Sequence, residues 1–159
     1  MAKTLAIHDT RNVNGTDYLA FDLHDVLAAL GEPVRLYTWL MSGFEGSGDE
    51  EIEAAADESR RGGHAASGEE ILEFSKRVVQ TSKGEFVAVE PSFERPRAAI
   101  DRWVARRDFA SSEAFIALRA EPGRWVVSVK DDALVEALRR RFKDVREVQP
   151  GLPGGNDIP

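Results

Sequence analysis

Cysteine is absent from the 159 residues. That excludes a disulfide framework, a thiolate zinc site, an iron–sulfur cluster and a cysteine nucleophile together. Histidine is scarce, with three in the chain, and neither HExxH nor His-x-His occurs, so no metal centre is expected. Phosphate-cradling strings of the GxxxxGK[ST] or GxGxxG type are missing, as is a Gly-x-Ser-x-Gly nucleophile turn. The glycines of Ser42–Gly48 lack the spacing for either chemistry and read as linker. No apolar run approaches the roughly 20 residues needed to cross a bilayer. The opening MAKTLAIHDT has no signal-peptide core. The expected location is therefore cytoplasmic, with no membrane, no cofactor and no catalytic constellation.

What is present is a globular balance: 42% hydrophobic and 31% charged residues. The length suits one domain able to bury a core without covalent staples. We expect a single α+β domain over residues 1–149, built as a mainly antiparallel sheet with about four helices packed on it. A flexible Pro/Gly-rich tail is expected over residues 150–159.

Periodicity and turn chemistry give the elements. Lys3–His8 reads as a strand, and Tyr18–Phe21 as a second strand returning across the Asn14-Gly15 turn. Asp22 is placed to cap a helix carrying Leu23, Val26, Leu27 and Leu30, with Gly31 at its end. Val34–Met41 alternates as a central strand, with Tyr37, Trp39 and Met41 sharing a face. Gly43–Gly48 reads as a flexible connection, Glu50–Arg61 as a shallow charged helix and Gly62–Ser67 as a loop. Ser67 and Glu70 form a capping box that starts a helix bearing Ile71, Phe74 and Val78 and closing at Lys83-Gly84. A strand follows through Phe86, Val87 and Val89, then a helix over 95–108. Phe115–Leu118 and Trp125–Val129 form a hairpin about Glu121-Pro122-Gly123. A helix capped by Asp131 or Asp132 and a strand Val145–Val148 complete the domain.

Net charge is −7, unevenly spread. Residues 1–90 hold 8 Lys/Arg against 17 Asp/Glu, whereas residues 91–150 hold 13 against 10. An acidic chain lacks the phosphate-neutralising charge that drives nucleic-acid binding, so a nucleic-acid partner is not expected. The densest acids are Asp49, Glu50, Glu51, Glu53, Asp57 and Glu58. On a thinly apolar helix they suit solvation or steering of a basic partner rather than a carboxyl with a raised pKa. The pairs His8-Asp9 and His24-Asp25 read as polar residues near element ends.

Two clusters, Arg97/Arg102/Arg106/Arg107 about Trp103 and Arg139–Arg141 with Lys143 about Phe142, interleave arginine with aromatics. Each aromatic falls on an apolar stripe, so core packing explains it better than base stacking. The functional expectation is a small acidic protein-binding module of immunity or inhibitor type, contacting its partner through Asp49, Glu50, Glu51, Glu53, Asp57 and Glu58. One alternative is an enzyme or small-ligand binder with a pocket drawn from distant residues such as His24, Trp39, His64 and an arginine. Another is a nucleic-acid-associated regulator using the arginine-rich helices.

Overall fold

Local signals place the first elements. The capping carboxylate of Asp22 accepts the Leu23 amide at 2.6 Å, and Asp25 reaches back to the Asp22 amide at 2.9 Å. Together they start helix α1, Leu23–Leu30. Ser67 and Glu70 make the same reciprocal bonds at the start of α3, Gly68–Arg77. Asp49 caps α2, Glu50–Arg60, and Asp131 caps α4, Asp132–Arg141.

The computed structural model describes residues 3–91 and 114–148. The helix expected over 95–108, with its Arg97, Arg102, Trp103, Arg106 and Arg107, and the tail from 150 lie outside those residues. Nine strands occur among the described residues. They are β1 Lys3–Ile7, β2 Thr10–Val13, β3 Thr16–Leu19, β4 Thr38–Ser47, β5 His64–Ser67, β6 Gln80–Val89, β7 Ile116–Glu121, β8 Arg124–Val129 and β9 Val145–Val148. Seven form one sheet in the order β5-β4-β6-β7-β8-β1-β9. Every pairing in it is antiparallel. The fold is α+β. Strands β2 and β3 form a separate hairpin about Asn14-Gly15.

Alternation sorts the sheet into two faces. Leu5, Ile7, Trp39, Met41, Phe86, Ala88, Leu118, Trp125 and Val127 join the helices in the main core. Leu40, Val87, Val89, Ala117 and Val126 form a second buried cluster of the opposite parity. Helix α1 packs between α3 and α4, and α2 lies against β4.

Four expectations need correction. Residues 32–36 form a 3-10 turn rather than the start of a strand. Pro33 fixes its backbone there, and the buried Trp39 indole donates to the Val34 carbonyl at 2.9 Å. Strand β4 then runs through the segment expected to be a flexible connection. The expected loop 62–67 contains β5, which pairs with β4 from Thr38↔Ser67 to Met41↔His64. Finally, α3 ends at Arg77, and Gln80 already pairs with Ser47 in β6, so the Lys83-Gly84 stop lies inside a strand. In the three strand cases a long-range partner overrode a local turn signal, whereas at 32–36 the local turn prevailed over the apparent alternation.

The irregular part of β4 shapes the helix-bearing face. Between Ser42 and Glu45 the strand carries one more residue than β6. Gly43 takes φ 61°, a left-handed conformation that glycine adopts without a Cβ clash. The extra residue inverts parity, so Phe44 points with Trp39 and Met41 into the main core instead of beside Leu40. It meets Phe74 edge-on at 5.3 Å and Phe86 at 6.1 Å. The Phe44 amide donates to the Ser59 hydroxyl at 3.0 Å, which in turn donates to the Ala56 carbonyl at 2.8 Å. Arg60 donates to the Phe44 carbonyl at 2.9 Å. These bonds fix α2 on the bulge.

Ser59→Ala should therefore destabilise the fold by about 1–3 kcal/mol, the cost of leaving a buried amide unpaired. Urea unfolding checks this, and an unchanged midpoint would show that the Phe44 amide does not depend on that hydroxyl.

Candidate functional site

Helices α2 and α3 stand side by side over β4 and β5, with a groove of about 380 Å³ between them. Its floor is apolar: Met41 from β4, Ala66 from β5, Ile52 and Ala55 from α2, and Ile71 and Phe74 from α3. Its rim is charged, with Glu51 and Glu58 on one wall, Glu70, Glu73 and Arg77 on the other, and His64 between them. Helical spacing explains the walls. Glu51, Ala55 and Glu58 recur at i, i+4 and i+7, as do Glu70, Phe74 and Arg77.

Close packing of backbones brings α3 to this position. A Cβ at Gly68 would strike the Val34 carbonyl and the backbone of Arg35, so glycine lets the helix start against the 3-10 turn. Arg35 also reaches Glu69 at 2.9 Å.

The six acidic residues singled out in the sequence separate into distinct roles. Asp49 accepts the Glu51 and Ile52 amides, both at 3.1 Å, and pairs with Arg77 at 2.6 Å. Glu51 is the second partner of Arg77. Asp57 pairs with Arg60. Glu58 brings a carboxylate oxygen to 3.2 Å from the His64 Nδ1, although the angle there does not make a hydrogen bond. Glu50 and Glu53 remain exposed and, among the described residues, enter no ion pair.

Electrostatics follow from these contacts. The hydrogen bond from Ile52, reinforced by Arg77, holds the Asp49 carboxyl below the usual aspartate range. Hydrogen bonds from the Ser67 amide and hydroxyl, with a smaller effect of His64, hold Glu70 below the usual glutamate range. Glu51 and Asp49 raise the Arg77 pKa further. Arg77 is therefore committed to the α2 N-terminus, where it ties the two helices across one end of the groove.

The other sequence candidates fall elsewhere. Trp39 and Met41 are buried, as is Phe44. Tyr37 stacks on Phe115 at 4.8 Å. His24 lies 3.2 Å from the Ser75 hydroxyl, at the contact of α1 with α3. Of the alternative pocket of His24, Trp39, His64 and an arginine, the groove takes in His64 and one arginine, Arg77, but not His24 or Trp39. Both His-Asp pairs have structural partners. Asp9 accepts the Lys143 and Asp144 amides at 2.6–3.0 Å and anchors the chain entering β9. Asp25 caps α1 and approaches Arg141 at 3.4 Å.

In the second basic cluster, Arg139, Arg140 and Arg141 are exposed, whereas Phe142 is core. A third concentration of charge, Glu121 between Arg119 and Arg124 at 2.8 Å each, is largely buried and holds the β7–β8 hairpin. Among the described residues no group of three or more His, Asp or Glu side chains is placed to hold a metal ion. No helix among them is long and apolar enough to cross a membrane.

Sequence reasoning missed the α3 half of the groove. The capping box marks where α3 starts, but only the pairing of β5 with β4 sets it beside α2. No protein-family model, curated protein or solved structure matches the chain.

The Asp49 contacts carry a pH prediction. A carboxyl whose pKa is lowered by folding adds stability above its unfolded-state pKa, and that contribution disappears as pH falls through the folded value. Arg77→Ala should move the Asp49 pKa part of the way back up, because the larger effect, the Ile52 hydrogen bond, remains. Carboxyl-detected NMR titration measures it, and an unmoved Asp49 would remove Arg77 from the account.

Proposed function

We propose that the chain is a small acidic protein-binding module of inhibitor or immunity type, which engages a basic protein with the α2 side of its fold. One observation carries the reading: acidic side chains of α2 and α3 converge around an apolar-floored groove, beside an outward pair, Glu50 and Glu53, left without ion pairs among the described residues. An apolar centre within a charged rim is the arrangement that protein interfaces favour. Unpaired carboxylates of one sign steer an oppositely charged partner and raise its association rate. Glu51 and Asp49 contribute less to this field, because Arg77 already offsets them.

The test uses the full chain as bait at low salt, with a nuclease-treated control. Its counterpart is Glu50→Lys/Glu53→Lys, which leaves Asp49, Glu51 and Arg77 in place. The reading expects a basic protein retained by the wild type at stoichiometric level. The double variant should associate about tenfold or more slowly, with a flattened dependence on ionic strength. Equal retention and equal salt dependence for both baits, or retention that depends on nucleic acid, would overturn it.

A further inference from the structure

The groove between α2 and α3 has a chemistry of its own beyond general acidity. We infer that it is a socket for a lysine side chain projected by the basic partner, an inference that rests on the protein-binding reading above. Over a buried base of Met41, Ile52, Ala66 and Ile71, the partly exposed Ala55 and Phe74 supply apolar surface of the kind that covers a chain of methylenes. Long cationic side chains bury their stems on such surface and leave the charged head at the edge.

At that edge the two walls differ in how far their charges are already used. At one end Arg77 is held by Asp49 and Glu51. On the α3 wall, Glu73 pairs with Lys76 at 3.1 Å. At the other end, Glu58 has His64 at 3.2 Å without a hydrogen bond. Glu70 uses one carboxylate oxygen on the Ser67 amide. Glu58 and Glu70 line the groove from different helices, and both lie near His64; an ammonium reaching both would gain two charge-assisted acceptors.

The same arrangement disfavours other occupants. Among the described residues, an anion would meet Glu51, Glu58, Glu70 and Glu73 around the rim, while Arg77 is already engaged. An uncharged aliphatic side chain could use the floor but not the mouth. The planar guanidinium of arginine is best matched by a carboxylate offering two oxygens in one plane. Glu70 offers only one, whereas a compact ammonium with three donors suits two separate carboxylates. The groove is open to solvent along its rim, so the strongly hydrated ammonium keeps part of its water.

The probe is N-acetyl-lysine-N-methylamide, titrated into full-length protein while the methyl signals of Met41, Ile52 and Ile71 are followed by NMR. Its norleucine counterpart, hexylammonium and hexanoate are run in parallel. The inference expects saturable shifts at those three residues with the lysine probe. The norleucine probe should bind about tenfold more weakly, roughly the size of one charge-assisted hydrogen bond. Glu58→Gln should weaken the lysine probe by a similar factor. Ala54→Phe, at an exposed position on the groove wall, should block all the probes without unfolding the chain.

Equal binding of lysine and norleucine probes, shifts confined to residues outside the groove, or preference for hexanoate would overturn the socket. Hexylammonium binding tenfold more tightly than the lysine probe would also overturn it, in favour of a site for free amines. Because these probes need no partner, failure here with the Glu50/Glu53 salt effect intact removes the socket and leaves the partner reading standing. Success here with no salt effect leaves a lysine-binding groove and removes Glu50 and Glu53 from the account of the partner.

Discussion

The additional residue that β4 carries between Ser42 and Glu45 turns Phe44 toward the helices, and the placement of α2 depends on that turn. In an unbroken strand Phe44 would share a face with Leu40, and the aromatic contacts from Trp125 through Phe86 to Phe74 would lose their middle member. The bulge also frees the Phe44 amide and carbonyl from the β ladder. Ser59 and Arg60 take them up, so one irregularity both fills the core and docks the helix above it. Side-chain burial of this size contributes roughly 1.5–3 kcal/mol. The position of the groove floor follows from the same geometry, because Ile52 and Ala55 sit on a helix whose far end is tied to the strand beneath.

Charge is then distributed over a surface that the core has already shaped. Arg77 draws Asp49 and Glu51 inward and closes one end of the groove, which limits the repulsion among the carboxylates of α2. Those left unneutralised divide by direction: Glu50 and Glu53 face solvent, while Glu58 and Glu70 overlook the apolar floor. Exposed pairs such as Lys76 with Glu73 or Arg60 with Asp57 contribute little to stability. Their effect is on the shape of the field, since they settle which acids remain available. A helix that reads in sequence as uniformly acidic is therefore electrically uneven once folded.

The sequence was most informative where the signal is local. The caps at Asp22, Ser67 and Asp131, the Asn14-Gly15 turn and the Pro122-Gly123 turn could all be read from short strings, because one side chain or one backbone preference decides each. The antiparallel α+β architecture followed from them. It was least informative where a distant strand decides the outcome. Glycines at 43, 46 and 48 read as a linker, although the first sits in the bulge of β4, the second pairs with Thr81 of β6 and the third lies just beyond the strand. Residues 64–67 read as a loop because a four-residue edge strand carries too few residues for a period to show. The acids of α2 were visible from composition, but their sorting by Arg77 was not, since that contact joins residues 26 and 28 positions apart. His64 and the α3 wall entered the site only through the β5 pairing.

Strand β1 lies between β8 and β9, and pairs with both along nearly its whole length. Strand β1 is therefore made more than a hundred residues ahead of both its sheet neighbours. Until those neighbours have left the ribosome, Leu5 and Ile7 have no sheet to enter, and the β4–β5–β6 end can pair well before the β1 end does. Such distant pairing slows folding, because the loop entropy is lost before the contacts form. A chain stalled short of β8 would present an apolar strand with two open edges, the surface on which mispairing begins.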